Sequence, residues 1–383
     1  MMKLVIPDNS DPKLPKAVRR QLERPTNHKI GGIYGKPTKN KYIGSGRANL
    51  FFDDISRKKM TKRVEAFKEM GINYEYSIND ILPRARLLEN RGKIIEELEW
   101  LESSSIGAIT AANYELIRLA ERYCPSVEII ISFYTEIDTL KKLNQFARLP
   151  NVKKINVDRK IYRNLPLLEQ FVNEAKKHEV GIRVIANLGC MADCARTEEH
   201  AIIKSLASID TSSLHYAPCT FYCMRFLYED PEHFLRLPII RPEDLDAYES
   251  IGVASVKLVD RVNPTPWIEK VVGHYLDGSY AGNILDLTCN FTTLNTKSMS
   301  NEEVAKIDMN EIVKSRENIM KYREMLPALM QVSIDPDYNL LACDNACGTC
   351  GGCKDTSAVK YDPKRREIVL DQLRRIEDEY LFV

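Results

Sequence analysis

The feature that most constrains this chain is a rhythm. Eight short runs of β-forming residues recur along the first two thirds, mostly separated by stretches with helical spacing. The runs are Lys3–Pro7, Lys29–Tyr34, Ile72–Ile78, Gly107–Ala111, Glu128–Phe133, Lys153–Val157, Gly181–Ala186 and Ala254–Val259. Helical spacing falls over Met60–Met70, Lys93–Leu101, Tyr114–Tyr123, Leu140–Phe146, Leu167–His178, Pro242–Ser250 and Trp267–Leu276. Eight strands alternating with helices predict an α/β chain of the (β/α)8, TIM-like barrel type. A doubly wound open sheet gives the same alternation, but no G-x-G-x-x-G follows an early strand, so a dinucleotide-binding sheet is disfavoured.

Two stretches break the rhythm. Cys190 to Arg241 forms a long insertion after the seventh strand, and residues from Asn283 onward form a cysteine-rich extension. The expected division is therefore a barrel over 1–282 and an extension over 283–383, with a helix near Glu311–Met325 and a charged helix at the end.

Apolar residues make up 44% of the chain and charged residues 28%, a mix that supports a buried core. With a net charge of +1, no nucleic-acid or membrane partner is favoured by field alone. No apolar stretch reaches the roughly 20 residues of a membrane span, and the first residues carry no signal-peptide pattern. A cytoplasmic protein is expected, and in a reducing compartment ten cysteines point to metal or catalysis rather than disulfides.

Eight of those cysteines fall in two sets. Cys190 and Cys194 form one C-x3-C pair and Cys219 and Cys223 another, with 24 residues between the pairs. Thiolates are soft ligands that select zinc or iron–sulfur clusters, and this spacing leaves the two level. The second set, Cys343, Cys347, Cys350 and Cys353, fits within 11 residues and is interleaved with Gly348, Gly351 and Gly352. Such glycines let backbone wrap a cofactor and point N–H groups at sulfur. The compactness favours iron–sulfur over zinc there. Its first three cysteines also spell the radical-SAM signature, but only 30 residues follow Cys353, too few for the barrel that motif requires. Cys124 and Cys289 stand apart, Cys124 as a core residue and Cys289 after the barrel, in reach of its mouth.

Arg196 and His200 follow Cys194 at positions suited to the first turns of a helix. With Arg261, after the last strand, they are the candidate catalytic residues. Arg47, Arg196, Arg241 and Arg261 are the candidate substrate grips, because a guanidinium fork suits carboxylate or phosphate. No G-x-S-x-G and no H-E-x-x-H occurs, which argues against familiar hydrolytic sites.

Longer blocks carry a resemblance. The stretch Asn187-Leu-Gly-Cys190-Met-Ala-Asp-Cys194-Ala-Arg196-Thr-Glu-Glu-His200 resembles the motif of the peptidase U32-like family. Ile239-Ile-Arg241-Pro242-Glu243-Asp244-Leu245, Tyr248 to Gly252 and Val256 to Arg261 resemble its downstream block, as do Tyr34-Gly35-Lys36 and Gly44-Ser45-Gly46-Arg47. The resemblance runs from about residue 3 to 290. It implies an α/β barrel with a [4Fe–4S] cluster on Cys190, Cys194, Cys219 and Cys223. It also implies oxygen-independent hydroxylation of RNA bases or a ubiquinone precursor, in some relatives with prephenate as hydroxyl donor.

These readings converge on an iron–sulfur redox enzyme acting on a small molecule or biosynthetic intermediate, with an external electron donor feeding a second iron–sulfur or zinc site in the tail. Modification of RNA or a peptide, a non-catalytic electron relay in a hetero-complex, and hydrolysis are the alternatives. Oligomeric state is open.

Overall fold

The computed structural model describes residues 1–36, 42–46, 55–210, 218–288, 299–308, 329, 331–341, 343–344 and 350–380, with side chains of 218–220 and 376–380 outside that description. All eight expected strands are present: β1 (Lys3–Pro7), β2 (Lys29–Gly35), β3 (Asn73–Ile78), β4 (Ala108–Ala111), β5 (Glu128–Ile131), β6 (Val152–Asn156), β7 (Gly181–Ile185) and β8 (Ser255–Lys257). Each pairs in parallel with the next, and β1 pairs with β8 through Leu4 opposite Val256 and Val5 opposite Lys257. That last pairing closes the sheet and decides between barrel and open sheet.

The helices cover the outside. In chain order they are α1 (Leu14–Leu22), α2 (Arg57–Lys68), α3 (Arg84–Glu89), α4 (Arg91–Ser103), α5 (Tyr114–Tyr123), α6 (Leu140–Ala147), α7 (Leu165–Lys176), α8 (Thr197–Ala207), α9 (Pro218–Glu229), α10 (Glu232–Leu235), α11 (Leu245–Ser250), α12 (Thr265–Asp277) and α13 (Asn301–Ala305). Local chemistry sets several boundaries. Thr139 caps α6 by accepting from the Lys142 N–H at 3.2 Å. Gly278, in the left-handed region at φ +67°, ends α12. Phe133, expected in the fifth strand, instead opens a 3-10 turn because the Ser132 hydroxyl accepts from the Tyr134 N–H. The helix expected over Pro242–Ser250 splits into a 3-10 turn at Pro242–Asp244 and α11.

Side chains alternate across the strands, so one set points into the barrel. Its lower layer is charged. Arg183 on β7 reaches Glu75 on β3 with two hydrogen bonds of 2.7 Å, and its Nε donates to Ser255 on β8 at 3.0 Å. Both charged groups are buried, and Arg183 holds the Glu75 carboxyl below its ordinary range against the opposing effect of burial. One layer higher, the Lys257 ammonium lies 3.6 Å from the centre of the Tyr34 ring. Since β1 separates β2 from β8, that contact passes through the interior.

The insertion after β7 carries α8, α9 and α10 and returns where Ile240 N–H donates to Ala186 O at 2.8 Å. Beyond the barrel, β9 (Ser333–Ile334) pairs antiparallel with β10 (Val359–Lys360). The expected final helix, α14 (Pro363–Tyr380), packs on α9 and α13. The helix expected near Glu311–Met325 lies outside the described residues. No described helix is long and apolar enough to cross a membrane.

Candidate active site at the barrel mouth

Loops leaving the C-terminal ends of parallel strands converge on one face, where barrel enzymes assemble their sites. Here the loop after β7 carries Cys190 and Cys194. Asn187 fixes its start. The Asn187 side chain accepts from Val259 N–H at 2.7 Å and donates to the carbonyls of Val259 and of Leu287, the latter at 2.9 Å. A fully buried amide thus ties the end of β7 to the loop after β8.

Arg159, after β6, fixes the rest of the loop. Its Nε donates to Met191 O at 2.7 Å and its Nη2 to Thr197 Oγ1 at 2.6 Å, and that hydroxyl donates to Cys194 O at 2.8 Å. The guanidinium is buried. Burial works against its charge, but Cys190 and Asp158 beside it hold the pKa above the ordinary value. A fixed cation next to Cys190 favours the thiolate, the form that ligates metals. Arg159 carried no signal in the sequence, since a lone arginine beyond a strand is unremarkable until the loop folds over it.

α8 starts directly after this loop, with Arg196 at its N-cap and His200 in its first turn, as the spacing predicts. Arg196 pairs with Glu199 through two bonds of 2.8 Å, which lowers the Glu199 pKa, and its guanidinium lies 5.1 Å from the centre of the Tyr222 ring. Tyr222 precedes Cys223 on α9, so Arg196 joins the two cysteine segments. Cys190, Cys194 and Cys223 are half-buried and pack against the core. Cys219 lies one turn before Cys223 in the same helix, and its side chain is outside the described set.

The donors these segments offer are thiolates, soft ligands that fit zinc or an iron–sulfur cluster.

The remaining arginines divide. Arg261 is buried at the mouth, where Nη2 donates to Ser45 O at 2.8 Å and the guanidinium lies 5.8 Å from the Tyr34 ring centre. Arg241 donates to the tail carbonyls of Pro336 and, at 3.1 Å, Asp335. Arg47 lies outside the described residues. Cys124 is buried, and burial pushes its thiol up to about 12, in keeping with a core residue. Cys289 is outside the described residues.

In the tail, Cys343 and Cys353 are half-buried and Cys350 is exposed, while Cys347 is outside the described residues. Cys353 Sγ lies 3.7 Å from Leu235 O. Tyr338 donates to Gly352 O at 2.7 Å, and burial together with Cys353 pushes its hydroxyl up to about 12. Beneath this loop, buried Arg163 donates to the carbonyls of Leu340, Leu235 and Leu237. Arg159 and Arg163 belong to one loop, so the segment after β6 touches both cysteine regions. His28, Asp246 and Glu249 also cluster, but at the opposite end of the barrel, where the Met1 ammonium pairs with Glu249.

A closed parallel barrel with paired cysteines and buried basic side chains at its C-terminal face is the class of protein defined here. No family model matches the chain. The sequence is similar to the uncharacterized protease MJ1657 of Methanocaldococcus jannaschii, with 24% identity over 256 residues, covering 64% of this chain and 72% of that protein. Solved structures with some likeness are the U32 peptidase Mk0906 (TM-score 0.45, 13% identity, 67% of this chain and 91% of that one) and the N-acetylneuraminate lyase of Aliivibrio salmonicida (TM-score 0.36, 10% identity, 98% and 96%). Those scores are low, and the barrel assignment stands on the strand pairing.

Proposed function

We propose that this chain is an iron–sulfur-dependent redox enzyme that carries out oxygen-independent hydroxylation, or a related modification, of a small molecule or biosynthetic intermediate. In this reading Cys190, Cys194, Cys219 and Cys223 hold a [4Fe–4S] cluster. Cys343, Cys347, Cys350 and Cys353 hold a second metal, iron–sulfur or zinc. The observation that carries the reading is the Cys190–Cys194 loop, which leaves β7 at the C-terminal face and is gripped by the buried guanidinium of Arg159.

When bound, such a cluster supplies one-electron transfer and Lewis acidity. The protein's own part is positional. Arg159 holds the Cys190–Cys194 loop in place, Asn187 fixes the strand ends, and Arg196 holds α8 against α9. His200 stands in the first turn of α8 beside this loop, and Arg261 presents a buried cation to an anionic substrate. Exposed Cys350 gives an external electron donor an approach to the tail.

Anaerobic purification followed by iron, labile sulfide and absorbance measurements tests this reading. Iron with sulfide, and its partial loss in Cys190→Ala and Cys223→Ala, are expected; zinc without sulfide at both sites overturns it. The word protease in the relative's name favours hydrolysis as a second reading. Cleavage of a peptide library by metal-free protein would support it. Redox turnover by the isolated chain with a chemical reductant would count against a purely structural role in a hetero-complex.

A further inference from the structure

In a closed eight-stranded barrel β3 lies four strands from β7 in either direction, so the loop after β3 faces the Cys190 loop across the mouth. α8 spans the distance between them. It leaves the cysteine loop at Thr197, and at its far end the Ser205 hydroxyl accepts from Ile81 N–H at 3.2 Å. Eleven residues of helix cover about 16 Å, which suits a bar lying over the opening.

Opposite the cysteines, three side chains from three strand ends close on one piece of backbone. Lys36, after β2, donates to Ile43 O. Gly44 N–H donates to Asp80 Oδ2, after β3, at 2.6 Å. Arg261, after β8, donates to Ser45 O, and Ser45 N–H donates to Ser208 at 3.0 Å. The fit requires glycine: a Cβ at Gly44 would lie 2.5 Å from Ser208 Oγ and 2.8 Å from Asp80 Cβ, and Gly46 has φ +68° with Asn79 O 2.7 Å from any Cβ there.

Asp80 is left in an unusual state. It is fully buried and fixed through Oδ2, yet among the described residues its Oδ1 has no hydrogen-bond partner, and no ion pair joins it to Lys36. Buried carboxylate oxygens are normally satisfied, and a bare one asks for an explanation. Lys36, Lys257 and Arg261 are buried in the same mouth, which favours a substrate that brings negative charge.

We propose that Asp80 is the proton acceptor of this mouth, taking through Oδ1 the proton of a hydroxyl group on a small hydroxy-carboxylate held between the ends of β3 and β7. In this transfer the substrate O–H bond breaks, the carboxyl O–H bond forms, and the charge left on the substrate oxygen faces Lys36 and Arg261. The inference rests on the proposed function only in placing the reacting centre at the mouth. Titration supports it. Burial pushes the Asp80 carboxyl up to about 6, against the pull of the Gly44 and Leu82 N–H groups, Lys36 and Arg86. Burial pulls Lys36 down to about 8, with Glu97 and Asp80 opposing and Arg261 assisting. An acid and a base that titrate on either side of neutrality suit proton transfer at that pH.

Carboxyl infrared spectra of the full chain, titrated from about pH 4 to 9 with and without glycolate, test the proposal. The expected wild-type spectrum has a protonated-carboxyl band that disappears near pH 6, is missing from Asp80→Asn, and shifts its midpoint by about half a unit or more with glycolate. In Lys36→Met, which keeps the carboxyl and removes a cation that stabilises its ionised form, the midpoint rises. No band in the wild type, the same band in Asp80→Asn, or a midpoint indifferent to both glycolate and Lys36→Met overturns the proposal. Melting curves confirm that each variant is folded. Iron and sulfide are measured in the same samples: a glycolate-dependent shift in iron-free protein keeps this inference while the cluster reading fails, and an unmoved band in iron-loaded protein does the reverse.

Discussion

The interior of the barrel and its mouth treat buried charge in opposite ways. Inside, Arg183 and Glu75 meet in a two-pronged pair, with Ser255 taking the remaining Nε. At the mouth, Asp80 keeps one bare oxygen among the described residues, and Lys36 is bonded to a backbone carbonyl rather than to a carboxylate. The same burial that locks a satisfied pair in place raises the energy of an unsatisfied one. Charge in the interior is therefore satisfied and charge at the mouth is not, and variants on the two sides should move stability in opposite directions.

The largest effect is expected inside. Arg183→Met leaves the Glu75 carboxylate buried without its partner, so urea unfolding should show a loss of about 3–5 kcal/mol. At the mouth the sign reverses. The Asp80 carboxyl titrates near 6 in the folded protein, against an ordinary value of 3.8 for the unfolded chain. The folded state thus holds a proton that the unfolded chain has already released. Stability from this group is present below pH 3.8 and is lost as pH rises through 6. Asp80→Asn removes that loss and should stabilise the protein by up to about 3 kcal/mol at pH 7, with the gain vanishing below pH 4. A destabilised Asp80→Asn at pH 7 would erase the contrast between the two regions.

Asn187→Ala sharpens the comparison, because Asn187 belongs to both regions. It leaves the backbone N–H and carbonyl of Val259 unsatisfied, and a cost of about 2 kcal/mol is expected. Iron retention should fall with it, which a structural role confined to the interior would not cause. The smallest effect belongs to the outer scaffold. Thr139→Ala deletes the α6 cap and should cost about 1 kcal/mol, with iron content and the Asp80 titration unmoved.

The strands were legible in the sequence because β-branched and aromatic runs such as Glu128-Ile-Ile-Ile131 have few alternatives to a buried strand. The order of charged and polar residues along β3 and β7 gave no hint that Glu75 and Arg183 meet, since that contact exists only once the sheet closes. Cysteine spacing exposed both sulfur-rich segments, and the position of Arg196 and His200 at the start of α8 followed from counting. Lys36 falls within the Tyr34-Gly35-Lys36 motif with no role assigned by it, and Asp80 and Arg159 carry no signal in the sequence. Each is a single polar residue whose meaning comes from strand ends brought together by the fold. The insertion's α9 and the β9–β10 pair were also missed, the latter because two-residue strands carry no periodicity. Arg241, read as a substrate grip, holds the tail backbone in the structure.

Arg163 has a consequence for how the chain assembles. Its three carbonyl partners come from Leu235 and Leu237 in the insertion and from Leu340 near the far end. A chain made from its N-terminus completes all eight strands long before residue 340 exists. Until then the guanidinium lacks one of the carbonyls that satisfy it, and the loop it shares with Arg159 stays short of its final tether. A segment synthesised late thus finishes a loop laid down much earlier, and the cysteine segment that Arg159 grips gains its full support only after residue 340 arrives.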